Sequence, residues 1–511
     1  MASRPSRRRR AVAVPTGLAV AASLALLPGA GTALAQEAAP AAAAPAAADG
    51  EQLSYVVNTS SHPGTIKRVE RAVAGAGGTV VVTHRKIGVI VAHSANPDFA
   101  EEMREVRGVR SAGATRTAPL RSAATTEVGV PQYVSQEAGT SAAETADVPD
   151  AEPLEADLWG LRSIRADEAS KVNPGSGKVT VAVIDTGVDD THPDLAPNFS
   201  AGQSANCVGG VADTSEGAWR PYTADDYHGT HVAGTIAAAR NGVGVAGVAP
   251  GVKVSSIKVS EPDTSLFYPE AVICAFVFAA DKGVEITNNS YYVDPYLYNC
   301  KDDPDQGAVV EAVNRAARYA ERKGTLHVAS AGNSNDDLSA DEIVDDSSPN
   351  DTKPVPRTVD PSECLDLPTQ LPGVVTVTAT GVQDLKSYYS SYGYKVADVA
   401  APGGDRFQIP DTPSGNGRIL STMPNESYAF LQGTSMASPH VAGVAALLKS
   451  EHPWASPAAL QWMLKAQADN PGCPEFYDPD GNGTEDSTCE GGRHVNGFYG
   501  HGIVDALDAV E

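Results

Sequence analysis

From Lys178 onward the chain alternates apolar, β-rich runs with helical ones, and this constrains the fold more than any other feature. Lys178 to Ile184 (KVTVAVI) is an apolar strand ending in Asp185, Gly229 to Ala239 is helical, and Val252 to Val259 is a strand. Pro269 to Lys282 is helical, Gly283 to Asn288 a strand, Asp305 to Lys323 a helix, and Thr325 to Ala331 and Gly373 to Thr380 are strands. Strands and helices at this pitch imply a mostly parallel sheet with helices on both faces, an α/β fold of three layers. In such sheets reactive groups gather beyond the carboxyl ends of the strands. Asp185, Ser290 and Asn333 all lie just past strand ends, so the fold is expected to bring them together.

The front of the chain is of a different kind. Arg7 to Arg10, the apolar stretch Ala11 to Leu27 and the A-x-A sequence Ala33-Leu34-Ala35 read as a secretory signal peptide over residues 1–35, with an uncleaved anchor as the alternative. An Ala/Pro-rich spacer follows over 36–50. Residues 51–117 then carry the order β-α-β-β-α-β, with strands at Leu53 to Asn58, Gly78 to Thr83, Ile87 to His93 and Val109 to Ala114, and helices at Gly64 to Ala74 and Pro97 to Val106. That order is the ferredoxin-like α+β arrangement, which alone could serve many small binding domains. Residues 118–155 have no sustained period and read as an acidic flexible linker open to proteolysis. The large domain spans 156–511.

Charge and cysteines narrow the setting. Removing the signal with its five arginines and no acids takes the formal net charge from −25 to −30. So acidic a surface argues against nucleic acid and anionic membranes as partners. The expectation is a secreted, extracellular and monomeric protein. Six cysteines in an exported chain favour disulfides, and Cys473 with Cys489 is the first pair expected. Cys207, Cys274, Cys300 and Cys364 allow three pairings that spacing does not separate, and Cys274, in an apolar run, could equally be a buried thiol.

Four short motifs carry chemistry. Asp185 closes a strand in Val183-Ile184-Asp185-Thr186-Gly187, where a buried carboxylate needs a donor and a histidine ring is a common one; a plain turn is the bland alternative. His228 and His231 lie three apart in His228-Gly229-Thr230-His231-Val232-Ala233-Gly234, a spacing that also suits a metal pair, but no third ligand or H-E-x-x-H pattern accompanies them. Asn333 ends Ser330-Ala331-Gly332-Asn333, where its amide could donate into a cleft or simply favour a turn. Ser435, in Gly433-Thr434-Ser435-Met436-Ala437-Ser438-Pro439-His440, stands before a helix-forming run. A serine there is either a cap or a nucleophile set among free backbone N–H groups.

In this order the stretches VIDTGVD, HGTHVAG, SAGN and GTSMASPHVAG resemble the subtilisin-like serine proteases, or subtilases, over a region from about Trp159 to Ala506. The order Asp, His, Ser is that family's known one. The resemblance implies Ser435 as nucleophile, His228 as general base and then acid, and Asp185 as the group that orients it. It also implies an oxyanion hole from the Asn333 amide and the Ser435 backbone N–H, with His231 and His440 as packing residues. The substrates would be proteins or peptides, with no cofactor in the chemistry and structural calcium as an option. The β-α-β-β-α-β unit resembles the family's inhibitor-type propeptide, which would make it the chain's own intramolecular inhibitor, cut away within residues 115 to 155.

Departures from the family pattern bear on substrate choice. Ser290, Tyr291 and Tyr292 stand where the family usually has Ser, a large residue and Gly, in a segment that pairs with substrate; Ser330, Ala331 and Gly332 are expected to line the same cleft. Tyr292 in place of Gly would put bulk beside the substrate. The segment between Asn333 and Pro368 is rich in acids and reads as a solvated acidic loop, with a calcium site as the alternative. Within it Asp366 either reaches the pocket floor and favours Lys or Arg substrates, or faces outward. Asp478, Asp480 and Asn482 open like a calcium loop, but Cys489 stands at the twelfth position, and a turn tied by a disulfide is the simpler reading.

Overall fold

Alternate residues of the strand Thr180–Asp185 enter opposite cores: Val181 and Val183 pack with Val232, Ile236 and Val441, while Ala182 and Ile184 pack with Val272, Phe276 and Val309. A strand buried on both faces has to sit inside a layered sheet. In the computed structural model, which describes residues 52–118, 130–134 and 151–511 apart from 263, it does. Seven strands run in the order Val399–Pro402, Val374–Thr380, Leu326–Ser330, Ile286–Asn289, Thr180–Asp185, Lys253–Lys258 and Ala205–Asn206. Every neighbouring pair is parallel. His228–Ala237 and Thr434–Glu451 pack together on one face, and Pro269–Lys282 and Pro304–Lys323 on the other. This is the three-layer α/β/α fold that the sequence pattern implies.

The helices begin and end where their termini can be satisfied. Pro304–Lys323 starts at Asp303, whose carboxylate accepts from the backbone N–H groups of Asp305 (2.9 Å) and Gln306 (3.0 Å), with Pro304 in the first turn. It stops at Gly324, whose φ of 105° a side chain would oppose.

Strand order also locates the site. Thr180–Asp185 is the first strand laid down, and the chain then builds outward to Lys253–Lys258 on one side and to Ile286–Asn289 on the other. A crevice therefore opens at the carboxyl ends between Asp185 and Asn289.

Leu53–Thr59, Gly78–His84, Val89–Ser94 and Val109–Ala114 form a separate antiparallel sheet in the order second, third, first, fourth, with helices Pro63–Gly75 and Phe99–Arg104 between them. Its own core includes Tyr55, Val69, Phe99 and Met103. The sheet lies on the Pro304–Lys323 helix: Asn58 Nδ2 donates to the Ala308 carbonyl (2.9 Å), Arg315 Nη1 to the Thr59 carbonyl (2.7 Å), and Arg104 pairs with Asp305. Gly113 permits the approach, since a Cβ there would come within 2.5 Å of the Asp305 Cα. The signal peptide, the spacer and most of the 118–155 linker lie outside the described residues. Among the described residues no helix is long and apolar enough to cross a membrane.

All six cysteines are paired, as Cys207–Cys274, Cys300–Cys364 and Cys473–Cys489. Cys274 is thus not a free thiol: the apolar helix that buries it packs against the short turn carrying Cys207. Cys300 and Cys364 face one another in an antiparallel ladder of two residues.

The acidic insertion matches expectation only in part: Asp341, Glu342, Asp346 and Asp360 are exposed, but other acids of the segment are drawn into structure. Ile343–Asp345 and Arg357–Val359 pair antiparallel, and the buried Asp345 accepts from Arg357 Nη2 (2.7 Å) and Nε (3.0 Å). Asp336 accepts from the Tyr298 hydroxyl (2.6 Å), and Asp351 and Asp366 are both buried. Local composition points outward, while donors distant in sequence draw these carboxylates inward.

Candidate active site

At the crevice, Asp185 ends its strand with no exposed surface, and both its oxygens face His228 Nδ1 at 2.8 and 3.0 Å. Oδ1 also accepts from the Thr186 N–H (2.7 Å), so the carboxylate is held on two sides. His228 is the first residue of its helix, and Gly229 lets that helix start so close to the strand: a Cβ at 229 would lie 2.4 Å from the Gly187 carbonyl oxygen and 3.1 Å from the Asp185 Cβ. The first histidine of the motif is therefore carried to the carboxylate by backbone contact.

The second histidine is differently used. His231 is fully buried, its Nε2 lies 3.1 Å from the carbonyl oxygens of Ile419 and Ala429, and burial lowers its pKa to about 3. His440 is buried beside the Met436 carbonyl (2.8 Å), and burial lowers its pKa to about 4. Both rings are neutral packing groups, and the metal-pair alternative for His228 and His231 finds no support in this geometry.

Ser435 sits in the first turn of Thr434–Glu451, where the backbone N–H groups lack helical acceptors. Its Oγ donates to the Ser290 carbonyl (3.3 Å), and the Ser290 Oγ donates to the Ser435 carbonyl (3.0 Å). Asn333, which follows Leu326–Ser330, uses its Oδ1 to accept from the Thr434 N–H and from Thr434 Oγ1, both at 2.9 Å. Spending the oxygen on Thr434 orients the Nδ2 group. Asn333 Nδ2 and the Ser435 N–H border one small space: each nitrogen would lie 3.6 Å from a Cβ placed on Gly433. The anchoring role of Thr434 went unread in the sequence.

The remaining expected residues divide. Ala331 donates its N–H to the Val377 carbonyl (2.9 Å), and the Ser330 carbonyl accepts from Thr369 Oγ1 (2.7 Å), so both belong to the rigid wall behind Gly332. Tyr291 does not offer its side chain to the cleft: it is buried, stacked on Phe267 at 4.9 Å, with its hydroxyl donating to Asn289 Oδ1 (3.0 Å). Tyr292 is partly buried against the insertion, its hydroxyl accepting from Asn350 Nδ2 (2.8 Å). Asp366 faces inward and not outward. It is 3% exposed, and a Cβ on Gly332 would lie 3.6 Å from its Oδ2. Burial, reinforced by the nearby Asp336, pushes its carboxyl well above the usual range.

The Asp478-Pro479-Asp480 loop is closed on itself by Cys473–Cys489. Asp478 accepts from the N–H groups of Asn482 (3.0 Å) and Gly483 (2.7 Å), and Asn482 Oδ1 accepts from the Thr484 N–H (2.8 Å). Asn482 is thus engaged within its own turn, and the third acid near Asp478 and Asp480 is Asp486.

The sequence and the fold are both similar to those of known proteins. The Subtilase family model matches residues 176–502. Subtilisin BL of Lederbergia lenta is 31% identical over 319 residues, which is 62% of this chain and 94% of that protein. Fervidolysin of Fervidobacterium pennivorans is 30% identical over 379 residues, 70% of this chain and 44% of that one. Among solved structures, the epidermin leader peptide processing serine protease of Staphylococcus aureus superposes with a TM-score of 0.63 at 23% identity, covering 90% of this chain and 98% of its own, a likeness of fold.

Proposed function

This chain belongs to the subtilase family and is a serine endopeptidase, and we propose that Ser435, His228 and Asp185 are its catalytic residues and that it is made as a secreted zymogen. The observation that carries the site assignment is the bifurcated Asp185–His228 pairing at the sheet's carboxyl edge, on a helix packed against the one whose first turn holds Ser435. His228 takes the Ser435 hydroxyl proton as Oγ attacks the substrate carbonyl carbon. Asp185 holds Nδ1–H and stabilises the imidazolium that forms. The tetrahedral oxyanion is received by Asn333 Nδ2 and the Ser435 N–H. Collapse expels the amine with the proton from His228, and water repeats the sequence on the acyl-enzyme. No cofactor enters these steps.

Asn333→Ala is expected to lower kcat on casein peptides by about 10² to 10³-fold with little change in KM, a range known from subtilisin itself. A loss confined to KM would remove Asn333 from the oxyanion role.

The unit formed by residues 52–118 acts in this reading as a removable inhibitor, since its sheet and the tail after Ala114 both rest on the catalytic part. Ser290, Ser330, Gly332 and the backbone at Tyr291 and Tyr292 would border extended substrate. Asp366, beside Gly332, would favour Lys or Arg on the acyl side of the cut, because a cation restores the charge that burial suppresses. Peptides with Lys or Arg there should be cut about 10-fold faster than Leu or Phe peptides. Efficient cleavage after Leu or Phe with no gain for Arg would sink that assignment.

A further inference from the structure

Beyond the N-terminal sheet the chain runs on as Thr115-Arg116-Thr117-Ala118 across the catalytic part. Thr117 and Ala118 donate their N–H groups to Asp351 Oδ2, at 2.8 and 3.2 Å. Arg116 is buried between them and the sheet. Its Nη2 lies 2.5 Å from Glu270 Oε1 and 3.3 Å from Glu261 Oε1, and its guanidinium carbon is 3.8 Å from the centre of the Tyr268 ring. Glu270 is 1% exposed and its Oε2 has no hydrogen-bond partner among the described residues. Two desolvated carboxylates under an aromatic face suit a planar guanidinium better than a hydrated ammonium.

Both glutamates and the tyrosine belong to the catalytic part, and the cation they hold belongs to the N-terminal unit. If that unit leaves, as the zymogen reading has it, Glu270 and Glu261 lose the cation that pairs with both, and another guanidinium placed there would restore the pairing. The pocket is also joined to the nucleophile by packed residues. Ser435 touches Ser290, Tyr291 follows and stacks on Phe267, and Tyr268 is next in the chain.

We propose that Glu270, Glu261 and Tyr268 form a substrate subsite that reads an arginine side chain upstream of the scissile bond. Arg116 occupies it in the precursor as a substrate's arginine does in the mature enzyme. The chain is then a protease selective for basic segments, at a position separate from the pocket that Asp366 borders.

The test uses mature enzyme, its new N-terminus identified by sequencing, on peptides that carry either Arg or Ala at each upstream position in turn. Arg should raise kcat/KM by about 10- to 100-fold at one fixed position, the range of a charge-assisted hydrogen bond in a dry site. In Glu270→Gln the Arg-to-Ala ratio at that position should fall to within about threefold of unity. The wild-type ratio needs no variant to fold, and Glu261→Gln, at the more open carboxylate, should lower the ratio less. A mature enzyme indifferent to Arg at every upstream position, or a preference that survives Glu270→Gln, overturns the subsite alone. Full activity with residues 52–118 still covalently attached and docked overturns both the subsite and the removable-inhibitor reading.

Discussion

Ser435→Ala is expected to abolish peptide hydrolysis, with kcat lower by about 10⁶-fold, a magnitude known from subtilisin itself. The Ser290 hydroxyl donates its proton to the Ser435 carbonyl and accepts at its own Oγ from Asn288 Nδ2 (2.9 Å), so it is committed to holding the turn. Alanine fits the helix start, and the Thr434 contacts to Asn333 do not involve the lost oxygen. The variant should therefore fold, bind substrate and remain uncut between residues 115 and 155. Intact mass after secretion reads maturation, and single-turnover hydrolysis reads chemistry. A Ser435→Ala protein that matures and digests casein would defeat the site assignment.

Asp185→Asn should cost about 10⁴-fold in kcat, a figure carried over from serine proteases that share this triad. The argument is one of tautomers. Asp185 presents only acceptors to His228 Nδ1, which fixes the proton on Nδ1 and leaves Nε2 basic. With an asparagine, one of the two atoms that face Nδ1 becomes an NH₂ donor, which favours the tautomer with its proton on Nε2, where it cannot take one from serine. KM should stay within about threefold, because neither residue is asked to bind substrate. Equal losses in binding and turnover would point instead to collapse of the crevice around a rearranged helix start at Gly229.

How much of this was legible beforehand follows from the range of the interactions involved. The strand Thr180–Asp185 could be read locally, since an apolar run of that length has to be covered on both sides, and Asp185 at its end had to meet a donor. The helix Pro269–Lys282 was legible from Pro269 at its start and Gly283, with φ of 70°, at its stop. Contacts across the fold were not legible. Cys207 and Cys274 are 67 residues apart, and only the packing of a helix on a distant turn selects that pair. Asp345 and Asp351 looked solvated because the donors that bury them are Arg357 and the backbone at Thr117, which composition near the acids does not reveal. The part played by Thr434 was not legible locally, because its hydrogen bonds orient Asn333, 101 residues away. Glu261 and Glu270 drew no notice at all, because their partner Arg116 comes from the other sheet.

The central claim is that acyl transfer runs through Ser435, and it is tested most directly by treating mature, active protein with a serine-directed phosphonylating reagent and mapping the adduct by mass spectrometry. A single adduct on Ser435, formed in step with the loss of caseinolytic activity and absent after Asp185→Asn slows the reaction, is the predicted result. Full inactivation with the adduct on another residue, or continued activity with Ser435 fully modified, would contradict it.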